Sequence, residues 1–211
     1  MIDGKRYYET PSGDLPSVTT ILSHTKSEST KEGLAKWQSF VGDAKAEAIR
    51  TEAANVGTHM HDVLEKWILG EPEPKGNNMI HRIAKKMANT MKENIEPHIT
   101  EVWGTEVTLY YPGLYAGATD VVGQWNNADA IMDFKQSNKP KKIEYIEDYY
   151  IQIVAYSLAH NAMFGTNIRT GHILICTRDL LFQHFEITEN SFDFWAERWA
   201  NRVDQYYTEN K

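Results

Sequence analysis

An α/β fold built on a mixed sheet is predicted for this 211-residue chain, and three observations predict it. Apolar residues recur at helical spacing through most of the first ninety-odd positions. After Pro97 the texture changes to short runs of Val, Thr, Tyr, Trp and Ile divided by turn residues. Helix-like and strand-like segments then alternate to the end, an order that places helices against a sheet.

The elements follow in sequence. The first thirty residues are rich in Ser, Thr, Pro and Gly and contain Pro16, Ser17, Val18, Thr19, Thr20, Ile21 and Leu22 in succession. Ser17 and Thr19 are placed either to cap a first helix or to touch a phosphate. From Lys31 to Leu69 the spacing is helical: Leu34, Trp37, Val41, Ala44 and Ala48 recur at threes and fours, as do His61, Leu64, Glu65 and Ile68. Gly70, Pro72 and Pro74 stop that run, and a second helix spans Met79 to Ile95, ending before Pro97. Ile99–Tyr111, Leu114–Trp125 and Ala130–Gln136 then read as strands, with Pro112-Gly113 and Asn126-Asn127 as turns between them. They form a three-stranded antiparallel meander. Glu144 to Phe164 returns to helix. His172–Cys176 and Leu181–Ile187 are two further strands around a turn near Arg178-Asp179, and Ser191–Tyr207 is a closing helix. The whole is one domain, mainly helical over residues 1–96 and sheet-containing over 97–211.

Composition limits the classes of function. Hydrophobic residues at 41% and charged residues at 24% describe an ordinary soluble globular protein. No apolar run approaches the roughly 18 residues of a membrane span. The first residues lack the apolar region of a secretory signal, so the expected compartment is the cytoplasm. A single cysteine, Cys176, excludes an internal disulfide and every four-cysteine zinc or iron–sulfur site. The net charge of −7 opposes a nucleic-acid partner unless local charge reverses it.

Chemistry concentrates on the third strand of the meander. Asp133 and Lys135 point to one face because side chains alternate along a strand. The Asn126-Asn127 turn folds Asp120, on the preceding strand, back toward Asp133. Two carboxylates suit a hard divalent cation such as Mg²⁺, and a lysine beside them can hold a water or a developing negative charge. That set is equipment for phosphodiester hydrolysis, with an Asp120–Lys135 structural ion pair as the alternative. Gln152 and Tyr156 stand one turn apart on the following helix, and His61 and Glu65 one turn apart on the earlier one.

Taken together, His61, the Gly117-Ala118-Thr119-Asp120 run, Asp133-Phe134-Lys135 and the Gln152 to Tyr156 spacing resemble the RecB-like branch of the PD-(D/E)XK nuclease superfamily. Within that branch, the Pro16–Leu22 opening followed by Lys36-Trp37, Gly57-Thr58 and His61 is similar to the mitochondrial genome maintenance exonucleases and their phage relatives. The resemblance extends from about Pro16 to Tyr156 and is weakest after Gly165. It implies a restriction-endonuclease-like core with an N-terminal helical elaboration. It also implies Asp120, Asp133, Lys135, Gln152 and Tyr156 as catalytic residues. Asp120, Asp133, the Phe134 carbonyl and His61 become the metal ligands, for Mg²⁺ or Mn²⁺. An iron–sulfur cluster, present in some members, is excluded by the lone cysteine. Glu65 is a candidate to buttress His61, and Glu106 a candidate at the edge of the site. His59 and His81 are expected at the surface. A histidine-metal hydrolase based on His59 and His61 is disfavoured, since no further histidine follows closely.

Local charge answers the objection from −7. Lys139, Lys141 and Lys142 follow Lys135 closely, and Arg82, Lys85 and Lys86 lie in a stretch from Lys75 to Lys92 that has no acidic residue. Both are candidate phosphate tracks. Trp37, Trp67 and Tyr115 are expected to pack in the core rather than stack on bases. No phosphate-loop motif for an ATP motor is present, so the substrate must arrive already unpaired. The function expected is a metal-dependent exonuclease on single-stranded DNA or unpaired DNA ends, serving replication, recombination or repair. The alternatives are an endonuclease on the same core or a catalytically silent nucleic-acid-binding module.

Overall fold

In the computed structural model, residues 5–210 are described. The described residues open with a small hairpin, β1 (Tyr7–Thr10) against β2 (Gly13–Pro16). Helix α1 (Val18–His24) begins at Ser17, whose hydroxyl accepts a hydrogen bond from the Thr20 N–H, so the capping role is the one seen. Ser27 caps α2 (Glu28–Val41) in the same way. The helical stretch expected to run unbroken from Lys31 is split at Gly42, where φ is +85° and α3 (Asp43–Ile68) begins. The apolar spacing runs through this break, and only the glycine marks it. Helix α4 (Met79–Ile95) has the expected bounds and is capped by Asn78.

The meander follows as β3 (Ile99–Tyr111), β4 (Tyr115–Trp125) and β5 (Ala128–Ser137). A 3-10 turn at Ile143–Tyr145 leads into α5 (Glu147–Phe164). Then come β6 (Thr170–Thr177), β7 (Phe182–Ile187) and α6 (Glu189–Glu209). The five long strands form one mixed sheet in the order β3-β4-β5-β6-β7. Only β5 and β6 are parallel in it, because the α5 crossover returns the chain to the same end of the sheet.

Alternation along the strands divides the core in two. On one face Val122, Ile131, Ile173 and Ile175 pack with α1, α5 and α6, including Ile21, Ile153 and Trp199. On the other Val121, Met132, Phe134, Leu174 and Cys176 pack with Leu64 of α3 and Met87 and Met91 of α4. Each such fully buried apolar side chain contributes roughly 1.5–3 kcal/mol. Helix α5 is buried almost all round from Tyr150 to Tyr156, whereas α2 buries none of its residues. No helix among the described residues is long and apolar enough to cross a membrane.

Candidate active site

The antiparallel ladder between β4 and β5 runs from the Trp125–Ala128 pair to the Val121–Met132 pair and stops there. The next residues, Asp120 and Asp133, lie where the strands part. Side chains take over the lost backbone bonds at this point. Asp120 Oδ2 accepts a hydrogen bond from the Phe134 N–H at 2.6 Å. His61, on α3, places Nε2 2.9 Å from the Phe134 carbonyl oxygen and Nδ1 3.2 Å from Asp120 Oδ1. Both ring nitrogens face oxygen acceptors, and only a doubly protonated ring donates to both. Burial works against that charge, but the adjoining Asp120 carboxylate outweighs it and raises the His61 pKa. Asp120 responds in kind: burial pushes its pKa up, and the His61 ring and other neighbours carry it below the usual value.

Asp133 and Lys135 share a face of β5, both lie deep in the site, and they form an ion pair. The alternative partner for Lys135, Asp120, is instead engaged by His61. Burial, then the charge of Asp120, pushes the Asp133 carboxyl up to about 6 against the opposing pull of Lys135. Burial alone lowers the Lys135 pKa, but Asp133 and Asp120 more than compensate and hold the ammonium charged. The two acids therefore sit in contrasting environments, one drawn down and one driven up, as in sites that divide acid and base work. Tyr149 lies with its ring centre 5.3 Å from Lys135 Nζ. It belongs to the site although sequence reasoning placed it only on the apolar stripe of the helix. Its spacing of three residues before Gln152 puts both on one face of α5 and was the available signal.

Glu106, a candidate at the edge of the site, joins it. It lies across from Asp120 between the Thr105–Val121 and Val107–Thr119 pairs, with φ at +48°. A non-glycine residue held there stores on the order of 1–3 kcal/mol, a cost that clusters at functional sites. His61, Glu106 and Asp120 bring their ligating atoms within 4.8 Å of one another. Burial first, then Asp120, raises the Glu106 pKa. With the Phe134 carbonyl alongside, this oxygen-rich set fits a hard divalent cation. Asp133, named with the metal ligands by resemblance, is turned toward Lys135. Glu65, expected beside His61, instead accepts a 3.4 Å hydrogen bond from Thr105 on β3.

Gln152 Nε2 donates to Tyr156 Oη at 3.0 Å, and both side chains are buried. A Cβ at Gly117 would lie 2.6 Å from Tyr156 Cε1, so the glycine three residues before Asp120 makes room for this ring. Neither side chain hydrogen-bonds Asp120, Asp133 or Lys135 among the described residues. The Tyr156 ring lies against Gly117 of β4, the strand that carries Asp120.

The charged tracks differ from each other. Lys139 and Lys142 are exposed on the loop leaving β5, and the Lys141 backbone is clasped at both its N–H and its carbonyl by the Gln183 amide. On α4, Arg82, Lys85 and Lys86 are exposed, but Lys85 pairs with Glu73 at 3.0 Å and Arg82 Nε bonds the Asn77 carbonyl. Glu73 lies just before the acid-free stretch, and folding brings it back. His59 does not join His61. It packs against His81 with the rings tilted and their centres 3.9 Å apart, both half-buried rather than freely exposed. Tyr115 is in the core with its hydroxyl on the Ala155 carbonyl, while Trp37 and Trp67 are only half-buried, under Arg50 and Lys92.

No family model matches the chain. It is homologous to mitochondrial genome maintenance exonuclease 1, being 25% identical to the Homo sapiens protein over 207 residues and 27% identical to the Mus musculus protein over 210. Each alignment covers 93% of this chain, and the chain spans about three fifths of the length of those relatives (59% and 60%). Among solved structures, a candidate exonuclease from Eubacterium rectale superimposes with a TM-score of 0.54 at 14% identity, covering 75% of this chain and 65% of that one. That likeness is one of fold: a mixed five-stranded sheet flanked by helices.

Proposed function

We propose that this chain is a divalent-metal-dependent deoxyribonuclease of the RecB-like PD-(D/E)XK type, which hydrolyses single-stranded DNA from free ends during replication, recombination or repair. The observation that carries the reading is the parting of β4 and β5, which gathers Asp120, the Phe134 carbonyl, His61 and Glu106 beside the Asp133–Lys135 pair. The names of the homologous exonucleases support it.

Asp120, Glu106, the Phe134 carbonyl and His61, once it has given up a ring proton, would hold Mg²⁺ or Mn²⁺, with Asp133 adjoining. A bound ion of this kind polarises a phosphoryl oxygen and lowers the pKa of water. Lys135, held charged by Asp133 and Asp120, offsets negative charge developing on the phosphate and orients the attacking water. Asp133, with its raised pKa, is the group able to take a proton near neutral pH. Gln152 and Tyr156 keep β4 in place, and Lys139, Lys141 and Lys142 draw the DNA backbone toward the end of β5. Helix α2, exposed along its length and held to α3 through Gln38 and Trp37 at Arg50, would form the cover beneath which a free end is threaded.

The test compares linear single-stranded DNA with a covalently closed circle of matched sequence in Mg²⁺. Degradation of the linear strand beside an intact circle is expected. Equal cutting of both would replace the exonuclease reading with an endonuclease.

A further inference from the structure

The strands β6 and β7 carry a cluster that the nuclease reading leaves unused. Their antiparallel register sets Glu186 opposite His172 and His184 opposite Leu174. All three polar side chains therefore project from the face that carries Leu174 and Cys176, the α4 side, whereas Asp133 and Lys135 lie on the α5 side. His172 Nδ1 and His184 Nε2 are 2.9 Å apart, and with a Glu186 oxygen the ligating atoms lie within 4.8 Å of one another. The indole of Trp125 fixes the geometry, stacking on His172 at 4.5 Å and leaning on His184 at 5.1 Å. His172 is 5% exposed, while His184 and Glu186 are open to solvent on the edge strand.

We propose that His172, His184 and Glu186 form a second metal site, selective for zinc or a similar borderline ion. Two imidazoles and one carboxylate are a recurring zinc donor set, and a fourth, solvent-facing position completes a tetrahedron. Bond lengths of about 2.0–2.1 Å require the two nitrogens to stand somewhat further apart than a hydrogen bond, an opening that the exposed His184 can supply. The centre at Asp120 sets one imidazole among oxygen donors and this cluster sets two imidazoles beside one carboxylate, so zinc favours the cluster and Mg²⁺ the centre. Bound zinc joins the edge strand β7 to β6 and stabilises the native state alone, as any ligand of the folded form does.

The experiment measures zinc retained per chain after gel filtration in excess Mg²⁺, together with the thermal midpoint with and without zinc. Both are read in the wild type, in His184→Gln and Glu186→Gln, and in Asp120→Asn. One zinc per wild-type chain and a raised midpoint are expected, unchanged in Asp120→Asn and with affinity at least about tenfold weaker in the other two. His184 and Glu186 are exposed, so these variants fold, which circular dichroism checks. A wild type that retains no zinc, or equal retention in His184→Gln, would overturn the site. Loss confined to Asp120→Asn would move the ion to the oxygen-rich centre.

Discussion

Two neighbouring strand pairs of one sheet handle polar side chains in opposite ways. Where β4 and β5 part, the ladder is missing and side chains replace it: Asp120 takes the Phe134 N–H and His61 takes its carbonyl. Where β6 and β7 stay paired, the ladder is intact and the strand register alone aligns His172, His184 and Glu186. The first arrangement yields a buried charged group of two acids, a lysine and a histidine that neutralise one another. The second yields imidazole nitrogens at an edge, stacked on an indole. The parted pair thus collects mainly oxygen donors around one imidazole, the intact pair offers two imidazoles and one carboxylate, and the chemistry available at each follows.

The largest effect expected at the parted strands comes from their ion pair. Asp133→Asn and Lys135→Ala should each lower cleavage by roughly a hundredfold to a thousandfold or more, the scale for losing one charge-stabilising group. Asp133→Asn also leaves the Lys135 ammonium buried without its partner, costing about 3–5 kcal/mol. Adding Lys135→Met should restore most of that stability in chemical denaturation and none of the activity. Recovery of cleavage in the double variant would break the claim that this site works through its charges.

A smaller effect is expected on the loop that leaves β5. Changing Lys139, Lys141 and Lys142 together to Ala should weaken single-stranded DNA binding and flatten its log–log salt slope by roughly 0.7 for each phosphate no longer neutralised. Single-turnover cleavage at saturating enzyme should change far less than in Lys135→Ala. Equal losses would place the loop within the catalytic centre. The smallest effect is on packing. Gly117→Ala pushes a methyl group into the Tyr156 ring and should cost about 1–3 kcal/mol. Tyr156→Leu in the same chain should relieve part of that cost, whereas additive losses would show that the ring and the glycine do not meet.

Much of this was legible in the sequence because the governing patterns are local. Alternation along β4 and β5 put Asp133 and Lys135 on one face, and the Asn126-Asn127 turn set the hairpin that returns Asp120 to them. The bounds of α4 follow from Asn78 and Pro97 in the same way. What escaped depends on backbone geometry or on pairing between distant segments. The break at Gly42 interrupts no apolar stripe. The hairpin of β1 and β2 has strands of four residues each, too short to alternate convincingly. Glu106 was placed at the edge of the site, but the left-handed backbone that turns it in follows from no spacing rule. The partners of Lys135, Glu65 and Lys85 were each chosen by the fold among several charges of suitable sign.

We propose that the parting of β4 and β5 hydrolyses DNA with a divalent cation. End-labelled single-stranded DNA incubated with the wild type in Mg²⁺ measures it most directly, repeated with EDTA and with Asp133→Asn. Cleavage in Mg²⁺ is predicted to stop with EDTA, to resume when Mg²⁺ is restored in excess, and to fall at least about a hundredfold with Asp133→Asn. Undiminished cleavage in EDTA, or wild-type rates from Asp133→Asn, would contradict the account.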